Sequence, residues 1–380
     1  MSSSDRTKHQ PIDPSVLPLM DPQYVKFHNE HVIYMPKTED TPYSPSIRAA
    51  ASKGLMPGSS HIRKVAKTEE FVIGLENIKV RAWTPLGEVP AEGWPVLLWF
   101  HGGGWVLGGL DSENHICTAM TQDAKCVTIT VDYRLAPEHP WPAAVHDAVN
   151  ALQWVVGEGC TKLNLNSSRI ATGGFSAGGN LSAILCNRAP KLSPPIKISF
   201  QLLNTPVVDS SIKEYTINTN APWLSPDRMM WYRRLYLPNE ADWSHPEASP
   251  YYAPDSEIAL VPKTFIAVAG QDILAPEALK YAEKLKSLVK GTRLLSSLTD
   301  SESKQKGSNG VIRRRRKTTK RTKVKRRGGA AREGKREAAE VETWVVEGAT
   351  HSVMNLEDVM DSAKDLIRRE AEALNEGFQS

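Results

Sequence analysis

The 380-residue chain has few of the features that mark secreted, membrane-spanning or metal-binding proteins. Its first twenty residues contain no apolar core of signal-peptide length. The longest apolar runs, such as WPVLLWF at 94–100, are far shorter than the roughly 18 residues that a membrane span needs. The four cysteines show neither the spacing of metal ligands nor a disulfide framework. These absences predict a soluble cytoplasmic protein whose cysteines are small buried apolar residues.

An excess of positive charge is confined to one segment. Residues 287–340 carry 18 Lys and Arg against 5 Asp and Glu, which leaves 29 basic and 38 acidic residues elsewhere. This segment includes RRRRKTTKRTKVKRR at 313–327 and has too few apolar residues to offset the entropy of folding, so we predict a disordered basic insertion at 291–339. A nucleic-acid-binding or nuclear-import role and a translated intron are the alternatives. The absence of interleaved aromatic residues favours a solvated loop over nucleic-acid binding.

Short apolar runs alternate with helix-like stretches from Glu69 onward. This alternation predicts an α/β fold with a mostly parallel central sheet and helices on both faces. The core is predicted at 66–290 and 340–380, and it is preceded by a proline-rich arm at 1–65. The apolar runs that we interpret as strands are WPVLLWF, CVTITVDY, RIATGG, IKISFQLL, TFIAVAG and ETWVVEG.

One serine has the sequence context of a nucleophile. Ser176 in GFSAGG lies between Gly174 and Gly178, follows the strand-like RIATGG and precedes the helix-like NLSAILCNRA. A strand, a sharp turn and a helix are what a Gly-x-Ser-x-Gly nucleophile elbow requires. A glycine-rich turn of no chemical consequence is the alternative.

A serine hydroxyl needs a base, and an imidazole oriented by a carboxylate is the usual solution. His351 comes after the strand-like ETWVVEG, and Asp272 comes after TFIAVAG. Because parallel strands end at a common edge of the sheet, both side chains are expected beside Ser176. Asp209, after QLLNTPVV, is the rival carboxylate. We therefore predict Ser176 as nucleophile, His351 as general base and acid, and Asp272 as the orienting acid.

The stretch FHGGGW at Phe100–Trp105 follows another predicted strand. Three successive glycines let bare backbone N–H groups approach a substrate oxygen, and the residue after the nucleophile, Ala177, supplies a further donor. No Lys-Ser or Lys-Thr follows, which excludes a phosphate-binding loop of the Walker type. The motif therefore predicts an oxyanion hole.

The motifs together resemble the hormone-sensitive-lipase-like branch of the α/β-hydrolases, which includes many microbial and fungal carboxylesterases. The resemblance covers residues 70–286 and 341–375 and rests on HGGGW, DYRLAPEHPWPAAVHDA, GFSAGGNLSA, AGQDILAPEALKYAEKL and EGATHS. It implies the α/β-hydrolase fold, the triad named above and no metal or organic cofactor. It further implies that Asp132–Ala148 is scaffold beside the site and that the oxyanion hole is formed by Gly102, Gly103 and Ala177.

The chain departs from the family pattern in two places. Phe175 precedes the nucleophile where Asp, Glu or Ser is usual, so the sequence predicts an elbow that lacks the usual hydrogen bonds and is less rigid. In addition, the stretch between Asp272 and His351 is usually short, whereas here it contains the basic insertion.

The resemblance places the lid and acyl pocket in the N-terminal arm and in 221–237. The predicted pocket residues are Trp105, Trp223, Met229, Met230, Trp231 and Tyr232, and ordinary core packing is the alternative for them. The expected activity is that of a carboxylesterase-type serine hydrolase, which cleaves short- to medium-chain esters through an acyl-enzyme. Amide or lactone hydrolysis is an alternative. So is a small-molecule-binding protein like the plant gibberellin receptors, which resemble this family but lack the catalytic histidine.

Overall fold

The computed structural model describes residues 6–51, 58–288 and 341–379, and the predicted basic insertion lies outside these ranges. The described strands form one sheet in the order β1-β2-β4-β3-β5-β6-β7-β8. Their bounds are β1 Lys67–Ile73, β2 Ile78–Thr84, β3 Trp94–Phe100, β4 Val127–Asp132, β5 Leu165–Phe175, β6 Phe200–Asn204, β7 Lys263–Gln271 and β8 Val341–Thr350.

The helices precede, connect and follow these strands. They are α1 Pro22–Glu30, α2 Pro45–Ala51, α3 Asn114–Asp123, α4 Ala143–Val156, α5 Glu158–Lys162, α6 Ala177–Arg188, α7 Pro226–Tyr236, α8 Asp255–Ile258, α9 at 275–288 and α10 Asp361–Phe378. Short 3-10 helices at Thr38–Asp40 and Val353–Leu356 matter for the site. No helix within the described ranges is both long and apolar enough to cross a membrane.

The sheet is parallel over most of its width. Strands β4, β3, β5, β6, β7 and β8 pair in parallel, whereas β1 with β2 and β2 with β4 are antiparallel. The prediction of a mostly parallel sheet is therefore confirmed. In consequence, β3, β5, β7 and β8 end at the same edge of the sheet, where open α/β folds form their sites.

Both faces of the sheet are covered by helices, as predicted. Along β3, Val96 and Leu98 belong to one buried cluster, which also contains residues of α4, α6 and α9. The alternate residues Leu97 and Trp99 belong to a second cluster, with residues of α1, α3 and α10. Burial on both faces explains why this strand is an uninterrupted apolar run.

The N-terminal arm packs against the C-terminal part of the core. Tyr24 and Phe27 of α1 are buried in the cluster that contains α10, and the backbone N–H of Asp21 donates to the carbonyl of Gly348 at 3.0 Å. The chain then continues from α1 to the loop that contains Met35 and Thr38, which line the cavity described below. Packing of the arm thus brings it to the site.

Candidate active site

Ser176 lies in a strained turn between β5 and α6. Its φ of 55° and ψ of −115° lie outside the regions that residues with a side chain usually adopt. The strain is opposed by hydrogen bonds, because the Ser176 N–H donates to the Asn204 carbonyl at 2.9 Å and the Ser176 carbonyl accepts from Asn180 and Val207. The surrounding backbone therefore fixes the serine at the end of the strand.

The glycines on either side of Ser176 are required by close packing. A Cβ at Gly178 would overlap the carbonyl oxygen of Phe100 at the end of β3, and a Cβ at Gly174 would overlap the backbone of Gly178. Backbone atoms cannot move aside as a flexible side chain can. The glycine spacing of the motif thus reflects the contact between α6, β3 and β5.

His351 connects Ser176 to Asp272. Its Nε2 lies 2.9 Å from Ser176 Oγ, and its Nδ1 lies 2.7 Å from Asp272 Oδ2. The second carboxylate oxygen of Asp272 accepts the backbone N–H of Leu274 at 3.1 Å. All three side chains are buried, with 7% of Ser176 exposed. The structure therefore brings these three predicted residues together in hydrogen-bonding order.

The rival carboxylate, Asp209, has other partners. Its Oδ1 accepts hydrogen bonds from the N–H and hydroxyl of Ser211, and its Oδ2 accepts from the Tyr252 hydroxyl at 3.3 Å. Because His351 Nδ1 pairs with Asp272, Asp209 is not the residue that orients this imidazole.

The resemblance implied Gly102 as an oxyanion donor, but in the structure its N–H group has another partner. Its N–H donates to the carboxylate of Glu113 at 2.8 Å, so this group is already committed. Glu113 also accepts the indole N–H of Trp99 at 2.6 Å. Burial raises the pKa of the Glu113 carboxyl to about 7, although the two hydrogen bonds oppose the shift. The assignment of Gly102 is corrected because the N–H of an oxyanion donor must be available.

The next two glycines have available N–H groups. Gly103 and Gly104 have φ values of 111° and 60°, which glycine adopts readily, and their N–H groups have no acceptor among the described residues. Ala177, in the first turn of the helix α6, likewise has an N–H without a partner in the described chain. Gly103, Gly104 and Ala177 thus have unpaired backbone N–H groups among the described residues, at the same edge of the sheet as Ser176.

The segment Asp132–Ala148 supports the glycine loop. The Tyr133 hydroxyl donates to the carbonyl of His101 at 2.8 Å, and the tyrosine ring stacks on the imidazole with centroids 4.3 Å apart. The N–H of Ala136 donates to the carbonyl of Trp105 at 2.9 Å. These contacts hold both ends of the loop from outside the site, which is the scaffold role that the resemblance implied.

A cavity of about 320 Å³ opens at Ser176 and His351. Its wall is mostly apolar, and its polar members besides Ser176 and His351 include Gln10, Ser112, Glu113, Arg228 and Asn355. The arm contributes Met35, Pro36 and Thr38, and the lid region contributes Trp223, Leu224, Arg228, Met229 and Tyr232. The cavity is therefore formed between the two segments in which the sequence predicted the lid.

Three predicted pocket residues lie outside this cavity. Trp105 is fully buried and stacks on Tyr236 with ring centroids 4.4 Å apart. Met230 and Trp231 lie on another face of α7, where the Met230 sulfur accepts from Arg233 and the Trp231 ring lies 6.4 Å from that of Tyr43. The helix presents residues 228, 229 and 232 to the cavity, so its i, i+1 and i+4 positions form the wall.

Phe175 is an integral part of the wall. Its side chain is 7% exposed, its ring lies 5.1 Å from the His351 imidazole, centroid to centroid, and it fills the space beside the Gly102 Cα. The elbow therefore has an apolar contact to the base and to the glycine loop at the position where the family usually has a hydrogen-bonding side chain.

Sequence reasoning missed Glu113 and Arg228. Glu113 contacts a backbone group 11 residues away, and Arg228 pairs with Glu39, 189 residues away. The sequence contained one signal for Arg228. The predicted helix start SPDRMMW has an arginine beside large apolar residues that were expected to be buried.

The comparisons with known proteins identify the family. A family model described as the α/β-hydrolase fold matches residues 97–297. The chain belongs to the α/β-hydrolases. Its motifs place it in the hormone-sensitive-lipase-like branch of that family, which confirms the resemblance found in the sequence.

Similar proteins include named esterases. An AB hydrolase superfamily protein of Schizosaccharomyces pombe is 43% identical over 289 residues, which are 72% of this chain and 84% of the relative. A carboxylesterase of Mycobacterium tuberculosis, NlhH, is 39% identical over 215 residues, 56% of this chain and 66% of the relative. The solved structure of an esterase from Pyrobaculum calidifontis matches with a TM-score of 0.72 at 22% identity, over 94% of this chain and 98% of the other, which shows the common fold.

Proposed function

We propose that this protein is a carboxylesterase in which Ser176, His351 and Asp272 form the catalytic triad. The observation that carries the proposal is the pair of hydrogen bonds that link the serine hydroxyl, the imidazole and the carboxylate. The relatives named carboxylesterase and esterase support the reaction class. A histidine at hydrogen-bonding distance from the serine favours catalysis over binding alone.

The proposed mechanism gives each group of the triad a role. With the imidazole proton on Nδ1 and shared with Asp272, Nε2 accepts the Ser176 proton as Oγ attacks the ester carbonyl. The imidazolium then donates that proton to the departing alcohol, and the acyl group remains on Ser176. A water molecule deprotonated by the same nitrogen attacks the acyl-enzyme, which releases the carboxylic acid and restores the serine.

Each tetrahedral intermediate carries a negative oxygen. The N–H groups of Gly103, Gly104 and Ala177 are the proposed donors to it, since Gly102 is committed to Glu113. The N-terminal position of Ala177 on α6 adds the positive end of the helix dipole. Preorganised donors of this kind account for about 10²–10³-fold in rate per donor.

The cavity supports short- to medium-chain substrates. Its volume of about 320 Å³ is near the lower end of the range of roughly 300–1,000 Å³ that is typical of small-molecule sites. A panel of p-nitrophenyl esters from acetate to laurate tests this expectation. We expect kcat/KM to be highest for acyl chains of about four to eight carbons and to fall for longer chains, whereas a steady rise to laurate would contradict the proposed substrate class.

A further inference from the structure

Arg228 is a charged residue in the wall of an otherwise mostly apolar catalytic cavity. It lies in the first turn of α7, where the helix dipole disfavours a positive charge, and only 8% of the residue is exposed. Burying a guanidinium costs free energy that its ion pair only partly offsets, so helix stability does not explain its presence.

Two of the Arg228 nitrogens are held in place. Nε donates to Glu39 Oε2 at 2.7 Å, and Nη1 donates to the carbonyl of Trp223 at 2.6 Å. The other oxygen of Glu39 accepts the Ser225 hydroxyl at 2.8 Å. This contact joins the 3-10 helix Thr38–Asp40 of the arm to the start of α7. The guanidinium plane is therefore fixed by both segments that form the cavity.

The charge of Arg228 is neutralised locally. Burial alone would raise the pKa of Glu39, but the charge of Arg228 and the hydrogen bonds to the carboxylate lower it below its ordinary value. Glu39 is therefore ionised at neutral pH, and the pair has no net charge. A carboxylate placed beside Arg228 would meet the repulsion of Glu39.

One arm of the guanidinium remains available. Arginine has five N–H donors, and Nη2 of Arg228 has no hydrogen-bond partner within the described ranges. Nη2 is not one of the fully buried polar atoms that lack a partner, so it retains exposed surface. Because the Arg228 side chain lines the cavity, Nη2 is accessible from the cavity. An alkyl chain against this group would remove its water without replacing the hydrogen bond, which is unfavourable.

We propose that Arg228 is a specificity residue that donates from Nη2 to a second, uncharged oxygen of the substrate. The preferred substrates are then esters with a ketone, ether or hydroxyl oxygen several bonds away from the scissile carbonyl. This inference rests on the proposed esterase function and adds the substrate class. A site that is built to hydrogen-bond a substrate oxygen discriminates strongly against the analogue that lacks it.

The test compares esters of equal chain length. The p-nitrophenyl esters of 4-oxopentanoic, 5-oxohexanoic and 6-oxoheptanoic acids are each paired with the plain alkanoate, and a second series carries the ketone in the alcohol of an acetate ester. The mono-p-nitrophenyl ester of glutaric acid supplies the anionic case. For the wild type, kcat/KM for at least one oxo ester should exceed that of its alkyl partner about tenfold.

The variants separate this role from a structural one. Arg228→Met alone leaves Glu39 buried without its partner and can unfold the site, so the double variant Glu39→Gln/Arg228→Met, which removes both charges, is measured beside it. Arg234→Met is the matched control, because Arg234 is exposed on the same helix. The oxo preference, measured in each variant as the ratio of kcat/KM for an oxo ester to kcat/KM for its alkyl partner, should disappear in the double variant and persist in the control.

Two kinds of result would overturn the inference alone. One is an oxo preference that is absent from every pair or survives in the double variant, and the other is a preference for the anionic glutarate ester. In these cases the alkanoates are still hydrolysed, so the proposed function stands. A wild type that hydrolyses none of the esters refutes the proposed function and this inference with it.

Discussion

Phe175→Ser tests whether apolar packing holds the nucleophile elbow. The substitution restores a hydrogen-bonding residue that is usual in the family, but it removes a ring that contacts the His351 imidazole and the Gly102 backbone. From these contacts we expect the variant to be both slower and less stable. The His351 imidazole and the Gly102 backbone would lose the apolar surface that fixes their separation.

The magnitudes follow from burial and geometry. Truncation of a buried phenylalanine costs about 3–5 kcal/mol, and in a chain of this size that corresponds to a fall in Tm of roughly 4–6 °C. Displacement of the imidazole by about 1 Å is enough to reduce the rate about 10²-fold. We therefore expect kcat to fall between about 10-fold and 100-fold, with a smaller change in KM.

The assay pairs p-nitrophenyl butyrate kinetics with thermal unfolding of the same preparations. Phe200→Ser is the matched control, because Phe200 is 5% exposed, lies at the opposite end of the sheet at the start of β6 and packs against Gly377. The control should lose stability but keep its kcat below its Tm. A Phe175→Ser variant with unchanged or higher kcat would refute the argument that the ring positions the base.

Three further predictions address the acid, a buried carboxyl and the basic segment. Asp272→Asn should keep the fold and lower kcat about 10⁴-fold, and a loss below tenfold in stopped-flow or steady-state assays would be inconsistent with its role. Burial raises the pKa of Glu370 to about 8, so its contribution to stability is full below its ordinary value of about 4.5 and is lost as pH rises through 8. The Tm of Glu370→Gln minus the Tm of the wild type should therefore increase from pH 6 to pH 9. A difference in Tm that does not change with pH would contradict this. Replacement of residues 289–340 by a short Gly-Ser linker should preserve kcat and Tm, since α9 and β8 are elements that short loops commonly join, and loss of activity in a folded protein would assign the segment to the site.

Residues at strand ends were predictable because topology alone places them. Once the apolar runs were interpreted as parallel strands, Ser176, Asp272 and His351 had to lie along one edge of the sheet. The parallel order that the structure has, with β5, β6, β7 and β8 as successive neighbours, is consistent with that reasoning.

Other features depend on contacts that no local pattern reveals. The proposed oxyanion donors lie one residue further along the glycine loop than the sequence implied, because Glu113 folds back on the loop and accepts the N–H of Gly102. The residues that α7 contributes to the cavity wall were only partly predicted. Met229 and Met230 are adjacent and equally apolar, and they differ only in that Met229 lies on the helix face that lines the cavity. The buried pair of Glu39 and Arg228 joins the arm to the lid, although 189 residues separate the two side chains in the sequence.

The most direct test of the central claim is covalent labelling of the nucleophile. The protein is treated with a fluorophosphonate, its residual esterase activity is measured, and the adduct is located by peptide mass spectrometry. The account predicts one adduct per chain, on Ser176, with activity lost in proportion to labelling, and a Ser176→Ala variant that is neither labelled nor active, with kcat lower by at least about 10³-fold. An adduct on another residue that tracks the loss of activity, or a Ser176→Ala variant that keeps most of its esterase activity, would contradict it.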